Sequence, residues 1–302
     1  MRAMAPGKLL LTGAYAVLEG APAIVTAVDR YAVADARQTD EKPSLEVRAA
    51  FGDDTAAPRA DVHALRDETG RKLGLGSSAA ALVASLGARA LARGEDLRSP
   101  ITRARIFRAA RAAHARAQGG GSGVDVAASV HGGMLRYSID YNGHVAVRTL
   151  RVPSGVRIAV YDSGRSSRTS DLRAQFDAGR KSPKASELLR KLCDSAARAS
   201  AAVEASDVGS FIGGASEFGN LLAALGRACD APIVLPAFAE LATVAERSGA
   251  AFLPSGAGGG DVCVWIGIAA PSETFAVRAR ALSMRPLAVG IEHGGLRPEL
   301  PS

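Results

Sequence analysis

The sequence predicts an α+β protein of two lobes. Short runs rich in β-branched residues alternate with longer, alanine-rich runs of good helix propensity in both halves of the chain. A break rich in turn formers, Val152-Pro153-Ser154-Gly155, separates those halves, so residues 1–153 and 154–302 are read as two domains. At 302 residues and 47% apolar content, the chain is long enough to build a core in each.

The elements follow in order. Residues 7–35 read as strands: Lys8-Leu9-Leu10-Leu11-Thr12-Gly13 is an apolar run stopped by glycine, and Ala23 to Val28 is β-branched. Leu45 to Phe51 reads as a further strand. The polar stretch Gly52 to Gly70 carries an expected short helix near Ala60 to Asp67. Ser77 to Arg93, free of proline, is one helix. Pro100, just after Ser99, sits in the first turn of the next, which Gln118-Gly119-Gly120-Gly121-Ser122-Gly123 must end. Val124 to Val130 begins a third. Met134 to Ile139 and His144 to Arg151 pair around Asn142-Gly143, a hairpin signal.

In the second half, Arg157 to Tyr161 is a strand and Ser163 to Ser170 a polar loop. Helices are expected at Ser182 to Ser206, Val208 to Leu225, Pro236 to Ser248 and Ser272 to Leu282. The strands Ala251 to Pro254 and Val262 to Ile268 flank a glycine run, Ser255-Gly256-Ala257-Gly258-Gly259-Gly260-Asp261.

Composition narrows the function. The net charge is +7, most of it from arginine, since only six lysines occur. The basic residues are dispersed, without the patches and interleaved aromatics of a nucleic-acid surface. A positive balance suits an anionic small substrate. No apolar run reaches membrane-spanning length and the first residues lack the apolar core of a signal peptide, so no membrane partner is expected and a cytoplasmic location is. Cys193, Cys229 and Cys263 are scattered, which suggests neither a disulfide framework nor a zinc site.

Chemistry concentrates at Lys72-Leu73-Gly74-Leu75-Gly76-Ser77-Ser78-Ala79. Glycines let backbone N–H groups approach a ligand, Ser77 or Ser78 can cap the helix that follows, and a helix start attracts anions. The same residues fit the dinucleotide fingerprint G-x-G-x-x-G/A, but Glu68 to Lys72 before them is no strand. A plain glycine turn capping a core helix is the remaining reading.

Taken together, three stretches resemble the GHMP kinase superfamily: Ala5-Pro6-Gly7-Lys8, Gly74-Leu75-Gly76-Ser77-Ser78-Ala79-Ala80 and Ser255 to Asp261. Within it, His114 to Gly119, Gly121-Ser122-Gly123-Val124-Asp125-Val126-Ala127, Lys72 and Leu11 to Leu18 are most similar to phosphomevalonate kinases of the yeast type. Mevalonate kinases usually carry Glu-His at Ala14-Tyr15 and a glutamate at His114. The interval from Lys8 to Leu73 is shorter than family members typically have.

The resemblance implies an N-terminal ribosomal-protein-like lobe that binds ATP, a C-terminal ferredoxin-like lobe, and an active site between them. It implies ATP-dependent phosphorylation of 5-phosphomevalonate, with Mg²⁺ as cofactor, by a monomer or homodimer. Lys8 and Asp125 are its expected catalytic pair, Lys8 as the cation and Asp125 orienting Lys8 or Mg²⁺. Lys72, Gly74, Leu75, Gly76, Ser77, Ser78, Ala79, Gly258 and Gly259 are expected on the nucleotide, and Ser78 on the metal. Tyr15, Ser122, Gly123, Arg136, Ser166, Ser167, Arg168, Gly256 and Ala257 are expected at the acceptor, with Arg148 and Arg165 as further guanidinium forks for its anions. Asp125 also reads as a carboxylate at a helix start, and His114 as a packing histidine. A kinase of another small alcohol, such as mevalonate, and a non-catalytic binding protein of the same fold are the competing functions.

Overall fold

The computed structural model describes residues 1–52, 56–166 and 169–299, the side chains of residues 169 and 170 excepted. These divide into two compact units, one of Met1–Leu9, Val25–Leu135 and Gly290–Ser302, the other of Leu10–Ile24 and Arg136–Val289.

The first unit is built on β1 (Arg2–Thr12), β2 (Ala23–Thr39), β3 (Pro58–Asp61) and the start of β4 (Met134–Ile139). Its helices are α1 (Leu45–Phe51), α2 (Ser77–Ala92), α3 (Pro100–Gln118) and α4 (Val124–His131). α2 packs among α1, α3, α4 and β3, and its small side chains allow that crowding: Ala79, Ala80, Ala84 and Ala88 are all buried. Gly87 is needed there too, since a Cβ would lie 2.6 Å from Leu296 Cδ1.

Two expectations are corrected in this unit. Leu45–Phe51 is a helix, not a strand: Ser44 caps it by accepting from the Val47 N–H, and Val47 and Phe51, one turn apart, bury the same face. The helix expected near Ala60 to Asp67 is strand β3 followed by a 3₁₀ turn, His63–Leu65, whose Leu65 is fully buried.

The second unit adds β5 (Val145–Leu150), β6 (Arg157–Asp162), α5 (Thr169–Gly179), α6 (Pro183–Glu204), α7 (Val208–Ala228), α8 (Pro236–Arg247), β7 (Ala251–Pro254), β8 (Val262–Gly267), α9 (Glu273–Ala281) and β9 (Arg285–Leu287). With β10 (Arg297–Pro298) of the first unit, the described strands form two sheets, ordered β10-β1-β2-β4-β5, with β3 on β2, and β7-β8-β6-β9. The second sheet is antiparallel throughout, in register from Arg157↔Gly267 to Asp162↔Val262, and helices α7 and α8 pack on β7. Trp265, Phe252 and Tyr161 converge edge-on to Phe275 of α9 with ring centroids 4.6, 5.2 and 5.3 Å away. Burying one such ring contributes about 1.5–3 kcal/mol. The expected α+β class thus holds, with helices layered on an antiparallel sheet in the C-terminal half. Helix α5 was not anticipated: it starts at the end of the expected loop and runs through residues 171–179, for which no element was expected.

Candidate active site

Gly7 brings β1 against the glycine loop, because a Cβ there would lie 2.6 Å from the Leu75 carbonyl oxygen. The Lys8 N–H then donates to Leu75 at 2.9 Å, and Lys8 Nζ donates to the Gly74 carbonyl at 3.1 Å. Leu73 and Leu75 anchor the loop in the core, each almost fully buried. Gly74 and Gly76 have φ of +77° and +75°, a region side chains rarely adopt. Gly76 is the N-cap of α2, so the expected capping by Ser77 or Ser78 is corrected: both serines lie inside the helix and no side chain caps it. The first N–H groups of the helix have no partner within it, and they face the mouth of the loop with the positive end of the helix dipole.

Asp125 enters from α4. That helix is fixed to β1 by Ser129 Oγ, which donates to the Pro6 carbonyl at 2.8 Å. A Cβ at Gly76 would lie 3.0 Å from Lys8 Cγ and 3.8 Å from Asp125 Cβ, so Lys8, Gly76 and Asp125 form one cluster. Asp125 Oδ1 accepts from the Val126 N–H at 2.9 Å, and Oδ2 lies 3.3 Å from His114 Nε2. Gly123, at φ +76°, lets the stem of Arg111 pack over the start of α4, and Ser122 Oγ accepts from the Val124 N–H. Lys72 is exposed at the entry of the loop, where it bridges to Arg66.

Behind Asp125 lie residues the sequence did not single out. Gln118 Nε2 is 3.1 Å from His114 Nε2 and 3.1 Å from Glu46 Oε1. The spacing of His114 and Gln118 places them on one helix face, a usable signal. Glu46 gave none, because its segment reads as a strand.

In the second unit the other glycine run is held at several points. Ser255 Oγ accepts from the Leu10 N–H at 2.9 Å and the Asp261 N–H donates to the Arg165 carbonyl at 2.7 Å. Gly259 donates its N–H to Ile233, and a Cβ at Gly258 would lie 2.1 Å from the same carbonyl oxygen. Tyr15 has a φ of +62° and donates its hydroxyl to the Ala257 carbonyl at 2.7 Å, with its ring 4.6 Å from that of Phe176. Burial, with Cys229 and Asp177 nearby, pushes the Tyr15 hydroxyl well above its ordinary range. Gly256 has a φ of +112°. Arg136 and Arg148 both pair with Glu204 at the end of α6, so these guanidinium groups share one carboxylate. Ser166 is exposed, and Ser167 and Arg168 lie outside the described residues.

Comparison with known proteins agrees with this geometry. Residues 45–133, which hold the glycine loop 73–79, His114 and Asp125, match the model of the GHMP kinases N terminal domain. These findings define the class: the chain is a kinase, a phosphotransferase, with residues 45–133 similar to the N terminal domain of GHMP kinases. Within that class it is similar to phosphomevalonate kinase from Streptomyces sp. (strain CL190), 29% identical over 330 aligned positions that cover 85% of this chain and 87% of that protein. Its fold is similar to that of Streptococcus pneumoniae phosphomevalonate kinase in complex with phosphomevalonate and AMPPNP, with a TM-score of 0.78, 19% identity and coverage of 96% and 99%. It is also similar to L. major mevalonate kinase in complex with R-mevalonate, with a TM-score of 0.67, 17% identity and coverage of 100% and 97%. Among the described residues no helix is long and apolar enough to cross a membrane.

Proposed function

We propose that this protein transfers the γ-phosphoryl group of ATP to the phosphate of 5-phosphomevalonate, giving 5-diphosphomevalonate. The observation that carries the reading is the cluster of Lys8, Gly76 and Asp125 at the uncapped start of α2. The 29% identical relative supports the choice of acceptor.

Phosphoryl transfer needs positioning and charge stabilisation more than covalent help from the protein. Backbone N–H groups of residues 76–79 serve the nucleotide phosphates. The attacking group here is a phosphate with a second pKa of about 6, already anionic near neutral pH. A general base therefore has little to remove. What the reaction demands is a cation between two anions, and Lys8 is the one seated on the loop. Asp125 orients it.

The donor set fits Mg²⁺. Among the described residues no group of three or more His, Cys, Asp or Glu side chains gathers, and Mg²⁺ is usually held by substrate phosphates, water and one or two protein oxygens. Ser78, half-exposed in the first turn of α2, would hold it through its hydroxyl. The ion would supply neutralisation of phosphate charge.

The test is ATP consumption over a panel of mevalonate-pathway acids, with products read by ³¹P NMR. Turnover of phosphomevalonate far above mevalonate is expected. Efficient turnover of mevalonate, or ATP consumption with neither acid, overturns the proposal.

A further inference from the structure

Asp125 is backed by a chain of polar groups drawn from three helices: Glu46 of α1, Gln118 and His114 of α3, then Asp125 of α4. His114 is 4% exposed and Glu46 9%, while Gln118 between them is exposed and Asp125 half-buried.

The hydrogens of this chain can be counted. A ring nitrogen carries either a proton or a lone pair. His114 Nε2 therefore cannot accept from Gln118 and donate to Asp125 together. Glu46 decides between them. Its burial would push the carboxyl up, but hydrogen bonds from Gln118, its own N–H and Ser44 outweigh that and hold it below the usual range. An ionised carboxylate only accepts, so Gln118 turns its NH₂ group, not its carbonyl, toward Glu46. The second N–H of that amide then faces His114 Nε2, which must receive it with a lone pair. An imidazolium there would set N–H against N–H.

We propose that Glu46 and Gln118 hold His114 as the Nδ1–H tautomer, so that Nε2 does not donate to Asp125 and Oδ2 stays open to Lys8. Glu46, Gln118 and His114 are positioning residues in this scheme. It rests on the reading of Lys8 and Asp125 as the phosphoryl-transfer pair. It also removes His114 from the metal site, since its Nε2 is committed and Mg²⁺ prefers oxygen.

The experiment is ¹⁵N–¹H correlation NMR on ¹⁵N-histidine-labelled protein, with the His114 signals assigned by their loss in His114→Gln. In the wild type, His114 Nε2 is expected to be unprotonated and Nδ1 protonated. Gln118→Leu removes the donor. The ring should switch to the Nε2–H tautomer and tie Asp125 back, and kcat should fall roughly three- to tenfold, the worth of one hydrogen bond, with both KM values within twofold. Glu46→Gln can donate as well as accept, which frees the Gln118 amide to flip, so an Nε2–H population should appear beside the wild-type tautomer. Glu46→Leu breaks the chain from its other end and reports the same switch if Gln118→Leu does not fold. A wild-type Nε2–H or imidazolium signal, or a tautomer unmoved in both leucine variants, overturns the proposal. A wild type that shows the tautomer and its switch but phosphorylates no acid upholds this chain and sinks the proposed reaction instead.

Discussion

The glycine loops at 73–79 and 255–261 look alike as sequence and differ in what their backbone already holds. In the first, two carbonyls are taken by Lys8, while the N–H groups at the start of α2 have no side-chain cap. In the second, the N–H groups of Ser255, Gly259 and Asp261 all donate within the unit, and the Ala257 carbonyl is taken by Tyr15. Glycine at Gly76 leaves room for Lys8 and Asp125, whereas glycine at Gly258 and Gly259 leaves room for Ile233 and Leu172. The first loop offers donors. The second is braced by three of its N–H groups.

The sharpest way to break this comparison is Lys8→Met. Removing the cation of the first loop should lower kcat by about 10²–10³-fold, the range for losing one preorganised charge-stabilising group, while Asp125→Asn costs roughly tenfold. Both are measured at saturating Mg-ATP with phosphomevalonate. A larger loss for Asp125→Asn would mean that the acceptor is an alcohol needing a base. Next is Gly76→Val, which forces a β-branched residue into φ +75° beside Lys8. Misplacement of this order costs about a hundredfold in turnover. Nucleotide affinity should fall with it while the circular dichroism spectrum is retained; unchanged ATP affinity would remove the loop from the nucleotide site.

The second loop should answer through stability. Gly259→Val meets Leu172 Cδ1 at 2.6 Å and a φ of +73°. Strain and overpacking of about 1–3 kcal/mol should lower Tm by several degrees, read by calorimetry. A Gly259→Val protein with wild-type Tm and no activity would instead place this loop on the ligand. The smallest effect is expected for Tyr15→Phe. It removes one hydrogen bond, worth about 1 kcal/mol, and should speed amide hydrogen exchange across 255–261. Unchanged exchange would mean that the loop does not need its hydroxyl brace.

Much of this comparison was legible beforehand. The helices α2, α3 and α4 are punctuated by glycine and proline, so their limits and the placing of Gly76 and Asp125 could be read along the chain. Helix α1 could not. Seven residues, Leu45–Phe51, fit strand alternation as well as helical spacing, and only the Ser44 cap argued for the helix. Glu46 was lost with it. Nothing local to Tyr15 shows that its hydroxyl meets a carbonyl 242 positions away. The three-residue β9 and two-residue β10 exist only through their distant partners.

The strand carrying Lys8 has one such partner. β10 pairs with β1 through Ala3↔Pro298 and Met4↔Arg297, and the same segment gives the Leu296 N–H to Val130 and receives the Gly133 N–H at Glu292. During translation the edge of β1 therefore stays open from the moment it leaves the ribosome until residue 298 follows. At about 5–20 residues per second that wait is on the order of tens of seconds. A bare strand edge can recruit a foreign strand, so during that wait the unit that carries Lys8 and the glycine loop 73–79 is open to strand addition there.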